Sequence, residues 1–513
     1  MNGRSDSSTG VVLGVDIGTT STKAVAFDRA GHVRGSSSVA YPLLEPERGH
    51  AVQDPVAIVE AVVSAVATVA GRQAAQGRPV AAVSFSSTMH TLIGVDEAGA
   101  PLTPSVTWAD TRAHQQADRL RTDPATASLH ARTGTPIHAM SPLAKLVWFR
   151  EQQAEVFSRV RRWVGIKEYV LHALCGRWVV DHSVASATGL LNLVERGWDR
   201  QALAVTGVTA AQLSELVPVT YSDLRALPAV SARLGLPDGT PFVVGGADGP
   251  LANLGVGAVR PGVLACSIGT SGALRVMTDR PTVDRRGRLF CYALDEERWT
   301  VGGAISNGGL VLQWADQTLM RQASAAPGRV DTASDAIALA ASVGPGSDGL
   351  IMLPYLMSER APFWDSAATG AYIGLTRAHG RAHLVRAGLE GVCQQLALVR
   401  QSLHDVGITI EEIRATGGAT RSPIWRQMLA DVLGVPIGFP VDHEGSAYGA
   451  ALVGMRAIGL IDRFEELVDR IEVGQVVEPM QEAADLYAAL RPIHEAAYAA
   501  LGPCMRQLRD LSG

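Results

Sequence analysis

The sequence predicts an α/β protein built from two related halves. A turn of small residues at 15–23 joins two apolar runs, and a shorter version of it at 267–272 does the same half a chain later. Strand-like apolar runs alternate with helix-like segments through the first half, which is typical of α/β domains. The 513 residues exceed what one hydrophobic core usually supports, so the repeat predicts two domains of roughly 250 residues each.

The two repeated turns have the composition of phosphate-binding hairpins. Both consist of small or hydroxyl-bearing residues: Gly18, Thr19, Thr20 and Ser21 in the first, and Gly269, Thr270 and Ser271 in the second. Small side chains let backbone N–H groups approach an anion closely, and two such turns across a cleft would hold a polyphosphate from both sides. A GxxxxGK[ST] segment is absent, so these are not Walker loops. The repeat indicates an enzyme that uses a nucleotide.

Composition and charge exclude several other classes of protein. A net charge of −5 and a pI of about 6.2 argue against a nucleic-acid partner. No apolar run approaches the length of a membrane span, and residues 1–10 look like a frayed Ser/Gly-rich start without the apolar core of a signal peptide. The five cysteines are scattered without a CxxC pair, which favours reduced thiols and a cytoplasmic location.

Periodicity and capping residues predict the main elements. Helices are predicted at 55–72, 112–122, 142–153, 166–174, 309–322, 381–406, 423–433 and 445–451, and over the last thirty residues. Strands are predicted at 80–85, 241–246, 299–302 and 413–416, with the boundary between the halves near 255–262. Ligands of α/β sheets bind at the carboxyl ends of strands, so residues that follow these strands are the first candidates for a site.

Two aspartates stand at such positions. Asp16 ends an apolar strand directly before the first hairpin, where a carboxylate can hold Mg²⁺ against phosphates, although a turn-stabilising role is open. Lys23 lies past the same turn, in either a structural or a phosphate-contacting role. Asp248 follows the strand at 241–246, and a carboxylate there could accept the proton of an attacking hydroxyl. The alternative is that Asp248 only caps the helix that begins near Pro250.

A polyol substrate requires side chains that reach several hydroxyl groups. The candidates all lie near strand or helix ends of the first half: Met89, His90, Trp108, Asp110, Arg112, Lys167, Glu168 and Tyr169. Each has a structural alternative, and Asp110 with Arg112 could be a local ion pair. The chain has only three lysines, Lys23, Lys145 and Lys167, among 45 basic residues. A site that needs a compact ammonium would resist replacement by arginine, although chance survival is equally open.

Two longer segments and the first hairpin resemble the FGGY family of carbohydrate kinases. Residues 140–152, around Lys145, are similar to the first family signature at every constrained position, and residues 370–390 are similar to the second. Gly388 departs from that second signature, which usually has Ala, Ser, Thr or a small apolar residue there. The resemblance covers about residues 11–460.

The resemblance implies two ribonuclease-H-like domains of the actin and hexokinase ATPase type, flanking a catalytic cleft. We expect domains at 11–256 and 262–460, followed by a helical extension at 461–513. Asp248, in Gly-Gly-Ala-Asp-Gly, matches the catalytic aspartate of the family, and Asp16 matches its Mg²⁺-associated carboxylate. ATP would be held by the two hairpins with Lys23, by Asn307 and Gly308, and by an adenosine turn formed by Gly417, Gly418 and Ala419.

Within the family, several segments are most similar to the members that phosphorylate gluconate: 87–90, 107–112, 132–138 and 165–169. An aldonate carries a carboxylate that favours a cation, and Arg112, Lys167, His138 and His90 could form a basic rim. The alternatives are a pentulose such as xylulose, or a protein that uses an ATP cleft as a regulatory switch. We expect a small sugar acid or polyol as partner, without nucleic acid or membrane, and a homodimer is compatible with the sequence.

Overall fold

The computed structural model of the protein describes residues 10–320, 333–441 and 444–511. The predicted frayed start at 1–9 and the last two residues of the predicted helix 309–322 lie outside the described residues.

The first half contains eleven strands and ten helices within the described chain. The strands are β1 Val11–Ile17, β2 Ser21–Phe27, β3 Val33–Ala40, β4 Val52–Gln53, β5 Val80–Ser87, β6 Ile93–Val95, β7 Ser105–Val106, β8 Arg162–Val164, β9 Val179–Asp181, β10 Glu215–Val217 and β11 Phe242–Ala247. The helices are α1 Pro55–Ala74, α2 His114–Thr122, α3 Leu129–Thr133, α4 Pro142–Gln152, α5 Ala154–Arg159, α6 Ile166–Cys175, α7 His182–Ser186, α8 Arg200–Thr206, α9 Pro228–Leu234 and α10 Asp248–Gly255.

The second half continues the numbering. Its strands are β12 Val263–Ile268, β13 Gly272–Thr278, β14 Phe290–Ala293, β15 Trp299–Ile305, β16 Ile351–Leu353, β17 Ala371–Ile373, β18 Glu412–Thr416, β19 Ile437–Pro440 and β20 Val473–Val477. Its helices are α11 Gly309–Ala315, α12 Ala333–Ala341, α13 Arg381–Asp405, α14 Pro423–Leu433, α15 Gly445–Ala457, α16 Glu465–Val468 and α17 Gln481–Leu511.

The chain folds into two compact units that interleave along the sequence. The first unit extends to Val259 and adds Met277–Thr300 and a segment that ends at Ile471. The second comprises Arg260–Val276, the chain from Val301 to Val441, and the chain from Glu472 onward. This layout differs from the contiguous domains at 11–256 and 262–460 with an extension at 461–513 that the sequence led us to expect, and those bounds stay a prediction.

Helix α15 accounts for part of this difference, because it packs against β1, β5 and α10 in the first unit. Small residues make the packing close. A Cβ atom at Gly14 would lie 1.9 Å from the carbonyl oxygen of Ala447, and one at Gly449 would lie 2.0 Å from that of Leu251. The small-residue pattern of 445–451 predicted a helix, but the partner of that helix is set by tertiary packing.

The central sheet of the first unit has the strand order β11-β5-β1-β2-β3. Strand β1 pairs antiparallel with β2 and parallel with β5, and β5 pairs parallel with β11. Helix α1 is long and apolar enough to cross a membrane by composition alone, but Ile58, Val62 and Val66 on it belong to the hydrophobic core of this unit. It is therefore a core helix of the unit.

The sheet of the second unit repeats this topology. Six of its strands follow the order β15-β13-β12-β18-β19-β20. Strand β12 pairs antiparallel with β13 and parallel with β18, and β18 pairs parallel with β19, as β1, β2, β5 and β11 do. The prediction of two related α/β halves is confirmed, and the shared feature extends beyond the hairpin to the whole core sheet.

Candidate active site

The carboxyl ends of three parallel strands, β1, β5 and β11, meet at one edge of the first sheet. The register aligns Asp16 with Ser86, and Ser86 with Gly246. Asp248 comes directly after β11 and is the first residue of α10. Neighbouring strands lie about 4.8 Å apart, so the backbones at Asp16 and Gly246 are separated by roughly 10 Å. The two predicted carboxylates thus lie at the same sheet edge.

Asp16 is held by hydroxyl groups. Its Oδ1 accepts a hydrogen bond of 2.7 Å from Ser86 Oγ. Burial raises the pKa of the Asp16 carboxyl above its ordinary value, against the opposing effects of hydrogen bonds from Ser86 and Ser446 and the charge of Lys23. Lys23 forms an ion pair with Glu444 in the same unit. A carboxylate that burial disfavours is a good ligand for a cation, which would restore its charged form.

The first hairpin is fixed from several sides. Trp108 Nε1 donates to Thr19 Oγ1 at 2.9 Å, Gln53 Nε2 donates to the carbonyl of Thr19 at 2.5 Å, and Tyr41 OH donates to the carbonyl of Gly18 at 2.7 Å. Thr20 at the tip is exposed. The turn is therefore rigid before any ligand binds, which lowers the entropy lost on binding.

The structure does not support a helix-capping role for Asp248. The N-cap of α10 is Ala247, and the Asp248 Oδ1 atom accepts from the amide of Gly249 at 2.7 Å. Asp248 is half-buried at the sheet edge, and its charge is among those that act on Lys167.

Lys167 is buried and does not lie on an exposed rim. Its side chain is 0% exposed, and Nζ contacts Asp181 Oδ2 at 2.5 Å and the carbonyl of Gly246 at 3.0 Å. Burial lowers the pKa of Lys167, and the nearby carboxylates of Asp181 and Asp248 oppose that shift. The expected direct contact of Lys167 with a substrate carboxylate is therefore not what this structure presents, because Asp181 already pairs with the ammonium.

Arg112 is held in a bidentate ion pair with Asp110. Nε donates to Oδ1 at 2.8 Å and Nη2 donates to Oδ2 at 2.7 Å. The guanidinium lies over the ring of Trp148, with 5.1 Å from Cζ to the ring centroid. Asp110 also accepts from the amide of Ala51 at 2.8 Å. The predicted local ion pair exists, and it fixes the guanidinium plane while Nη1 carries two further N–H groups.

The remaining predicted acceptor residues are all well packed. His90 is buried with φ +65°, and its Nδ1 lies 2.8 Å from the carbonyl oxygen of Ala187. Met89 packs against a hydrophobic cluster that includes Ala247, the residue before Asp248. His138 is buried and accepts from the amide of Met140. Tyr169 belongs to the hydrophobic core, which does not favour a role in substrate binding.

In the second unit, the hairpin 269–271 joins the start of α11. The amide of Gly309 donates to the carbonyl of Gly269 at 2.7 Å, and the amides of Gly308 and Leu310 donate to that of Thr270. Gly308 has to be glycine for packing, since a Cβ there would lie 2.6 Å from Ser271 O. Gly269 does not, because its φ is outside the left-handed region and a Cβ there would meet no atom within 4 Å.

Gly417 and Gly418 also differ in whether the fold requires glycine at that position. Gly417 has φ +102°, and a Cβ there would lie 2.4 Å from the carbonyl oxygen of Ile268, so the fold requires glycine. Gly418 has an ordinary φ and open space around its Cβ position. The side chain of Ala419 is buried. Open space at Gly269 and Gly418 is what a ligand that approaches the backbone would need.

Asn307 is buried and oriented by a buried carboxyl group. Its Nδ2 donates to Ser358 O at 2.7 Å and to Glu359 Oε2 at 3.3 Å, and its Oδ1 accepts from the amide of Met357. Glu359 Oε1 accepts from the amides of Ser306 and Arg360. This network fixes the loop that leads into Gly308.

Glu359 should make the stability of the protein depend on pH. Burial raises the pKa of its carboxyl to about 7, above the ordinary value of 4.5. Between pH 4.5 and about pH 7, the folded state then binds more protons than the unfolded state. The contribution of this protonation to the free energy of unfolding is therefore fully present below pH 4.5 and is lost as the pH rises to about 7. We expect the free energy of unfolding to fall less between about pH 5 and about pH 8 in Glu359→Gln than in the unmodified protein. Urea titrations at both pH values measure this, and equal changes would contradict it.

The residue types at the predicted nucleotide site are suited to binding Mg²⁺ and a polyphosphate. No cluster of three or more His, Cys, Asp or Glu that could hold a metal occurs within residues 10–320, 333–441 and 444–511. Mg²⁺ bound with phosphates uses one or two carboxylates and retains waters, so a lone Asp16 is sufficient. The two hairpins and Gly418 offer exposed backbone at three places.

Several supporting residues were absent from the sequence prediction. Ser86, Asp181, Ser446 and Glu359 each contact or orient a predicted site residue. Asp181 could have been suspected, since it caps α7 at the end of a strand. Glu359 follows no recognisable element, so no sequence signal indicates it.

Two models of one protein family match most of the chain. Residues 11–255 match the FGGY family of carbohydrate kinases, N-terminal domain, and residues 264–458 match the C-terminal domain of that family. The gluconokinase of Bacillus subtilis (strain 168) is 41% identical over 488 residues, which is 94% of this chain and 95% of that protein.

Solved structures are similar over nearly the whole chain. The gluconate kinase from Lactobacillus acidophilus has a TM-score of 0.90 at 33% identity, covering 97% of this chain and 99% of that one. The ligand-bound xylulose kinase from the same species also has a TM-score of 0.90 at 33% identity, covering 97% and 100%. These matches confirm the predicted two-domain fold of the actin and hexokinase type.

Proposed function

The chain belongs to the FGGY family of carbohydrate kinases, and we propose that it transfers the γ-phosphoryl group of ATP to the terminal hydroxyl of D-gluconate. The observation that carries this proposal is Asp248 at the carboxyl end of β11, beside the strand end that bears Asp16. The 41% identity to a gluconokinase supports the choice of acceptor.

Asp248 acts as the general base. Its carboxylate accepts the proton of the acceptor hydroxyl as that oxygen forms a bond to the γ-phosphorus, while the bond from that phosphorus to the β,γ-bridging oxygen breaks and ADP leaves. Lys167 pairs with Asp181, and the charge of Asp248 acts on the same ammonium. The rigid hairpin 18–21 and the loop of Trp108 limit the positions that the acceptor can take.

When bound, ATP would supply the phosphoryl group, and Mg²⁺ would neutralise charge on its oxygens. Asp16 would hold the metal, and the backbone of both hairpins would hold the phosphates. Gly418 would adjoin the adenosine, where a side chain is absent although the fold leaves room for one. Asn307 and Gly308 would contribute to the same nucleotide site.

Arg112 is the cation that we assign to the carboxylate of the sugar acid. Its guanidinium is fixed by Asp110 and Trp148, and its side chain is 9% exposed. A guanidinium that is already oriented loses little entropy on binding a carboxylate. Lys167 is less suitable, because its ammonium is fully buried and paired with Asp181.

We propose a cytoplasmic location on the basis of the thiols. All five cysteines are free, and four of them are buried. Proteins of oxidising compartments more often pair their cysteines.

A screen of ADP release with saturating Mg-ATP tests the proposed function. The acceptors are gluconate, glucitol, xylulose, ribulose, glycerol and further aldonates. Gluconate should give the highest kcat/KM. More efficient use of xylulose would overturn the acceptor and leave the kinase assignment, and the absence of any acceptor-dependent ADP release would favour a switch protein.

The charge of the acceptor should matter through Arg112. Gluconate should be preferred over the uncharged glucitol by at least about tenfold in kcat/KM, because charge-assisted hydrogen bonds contribute roughly 1.5–3 kcal/mol. Arg112→Gln should remove most of this preference and leave the KM for ATP nearly unchanged. Arg233→Gln serves as the comparison, since it removes a cation from an exposed pair with Glu60 outside the proposed site. If Arg112→Gln retains the preference, another cation binds the carboxylate.

A further inference from the structure

Lys145 is a fully buried lysine, and burial lowers the pKa of its amine to about 7 against the opposing charge of Asp110. Its relative exposure is 0%, and in the part of the chain that the structure describes no carboxylate lies within ion-pair distance. Its three contacts are backbone carbonyl oxygens: His90 at 2.6 Å, Thr107 at 2.7 Å and Val106 at 3.4 Å from Nζ. A buried ammonium is costly unless its N–H groups are used, and here three N–H groups meet three acceptors.

These carbonyls belong to the two segments that carry the acceptor residues. His90 and Trp108 lie just beyond a backbone bridge in which Leu92 and Val106 exchange hydrogen bonds of 3.0 and 2.9 Å. Past that bridge the backbones diverge, and Lys145 spans the gap between His90 and Thr107. Trp108 then reaches the phosphate hairpin through its bond to Thr19.

His90 needs such support, because it has φ +65°, a conformation that residues other than glycine rarely adopt. Such a residue persists only where surrounding contacts over-determine it. The contacts that do so here include Lys145 on its carbonyl oxygen, Ala187 O beside its ring and the ring of Tyr292.

We infer that Lys145 is a positioning residue, whose ammonium holds the segments 88–91 and 107–110 in the arrangement that the acceptor binds. The inference rests on the proposed function, since it concerns the acceptor half of that site. It also explains why lysine persists here in a chain with three lysines among 45 basic residues. A compact ammonium can point three donors at three carbonyls, whereas the planar guanidinium of arginine is larger and forked.

Lys145 is a cleaner test than Lys167. Removing Lys167 would leave the buried carboxylate of Asp181 uncompensated, which destabilises the fold for reasons unrelated to positioning. Asp110 is the carboxylate whose charge acts on Lys145, and it is already paired with Arg112. Lys145→Met keeps the length of the side chain and leaves no unpaired buried charge.

The experiment compares Lys145→Met, Lys145→Arg and the unmodified protein. Lys145→Met should lower kcat/KM for gluconate at least about tenfold, as expected when an acceptor loop loses a charge-assisted bond, while the KM for ATP changes less than about twofold. Lys145→Arg should not restore activity. Arg233→Met, which removes a cation from an exposed pair with Glu60, is the matched control and should behave as the unmodified protein.

Amide hydrogen exchange gives a readout that does not depend on activity. The amides of Thr88, Leu92, Val106 and Thr107 all donate to backbone carbonyls. In Lys145→Met, peptides covering 88–92 and 105–109 should exchange at least about tenfold faster, while peptides of α13 and α14 keep their rates. Unchanged exchange in these segments, or equal kinetic losses for gluconate and ATP, would overturn the inference. If the protein phosphorylates no sugar acid, the amide exchange rates alone still test whether Lys145 holds these two segments.

Discussion

Asp248→Asn should lower turnover of gluconate by roughly 10²–10⁴-fold, the range of a lost general base. The amide keeps the size of the side chain and can still accept from the Gly249 amide, so the start of α10 should be retained. It cannot take the proton of the acceptor hydroxyl. Steady-state kinetics with saturating Mg-ATP measure the loss in kcat.

Binding of ATP is the control for this variant. Asp248 is proposed to act on the acceptor hydroxyl and is not among the residues proposed to hold ATP, so the dissociation constant for ATP should change less than about threefold. Asp248→Glu would displace the carboxylate by one methylene and should also lose most activity. An Asp248→Asn variant that keeps more than about a tenth of normal turnover would show that another group, or none, acts as base.

Gly269→Val should weaken ATP by roughly a hundredfold, the effect of losing about two charge-assisted hydrogen bonds to phosphate. A β-branched side chain would cover the exposed turn and hold phosphates away from the backbone. The fold itself should tolerate the change, because nothing lies within 4 Å of the new Cβ and φ is ordinary. The KM values for ATP and gluconate, together with the melting temperature, measure these effects.

Gly344→Val is the matched control for Gly269→Val. Gly344 is in the same unit, is exposed, and also has an ordinary φ with open space at its Cβ position. It belongs to no proposed site, so its substitution should leave both KM values unchanged. Equal losses for ATP and gluconate in Gly269→Val, or a large fall in melting temperature, would indicate misfolding and contradict the phosphate role.

Local chemistry made the elements predictable. Asp54 caps α1 by accepting from the amides of Val56 and Ala57, as its place before Pro55 indicated. Helix α14 has the predicted bounds, because Ser422 and Pro423 start it and Gly434 ends it in a left-handed conformation. Such signals lie within a few residues of the element they define.

The partners of the site residues were not predictable in the same way. A lysine in a sequence suggests exposed surface, yet Lys145 and Lys167 are both fully buried. Their partners are carbonyl groups, which every residue carries, and Asp181, which is one carboxylate among many. Similarly, nothing local indicates that α15 packs on β1 or that Glu359 orients Asn307. These contacts join residues far apart in the chain.

The most direct test of the proposed function is a competition between gluconate and xylulose, present at equal concentrations with Mg-ATP. Phosphorus NMR would follow both phosphomonoesters from the start of the reaction, and their ratio of initial rates equals the ratio of the two kcat/KM values. The proposed function predicts that gluconate phosphorylated at its terminal hydroxyl dominates at least about tenfold, with one ADP formed per phosphomonoester. A product mixture dominated by xylulose phosphate, or ADP formed without any phosphomonoester, would contradict it.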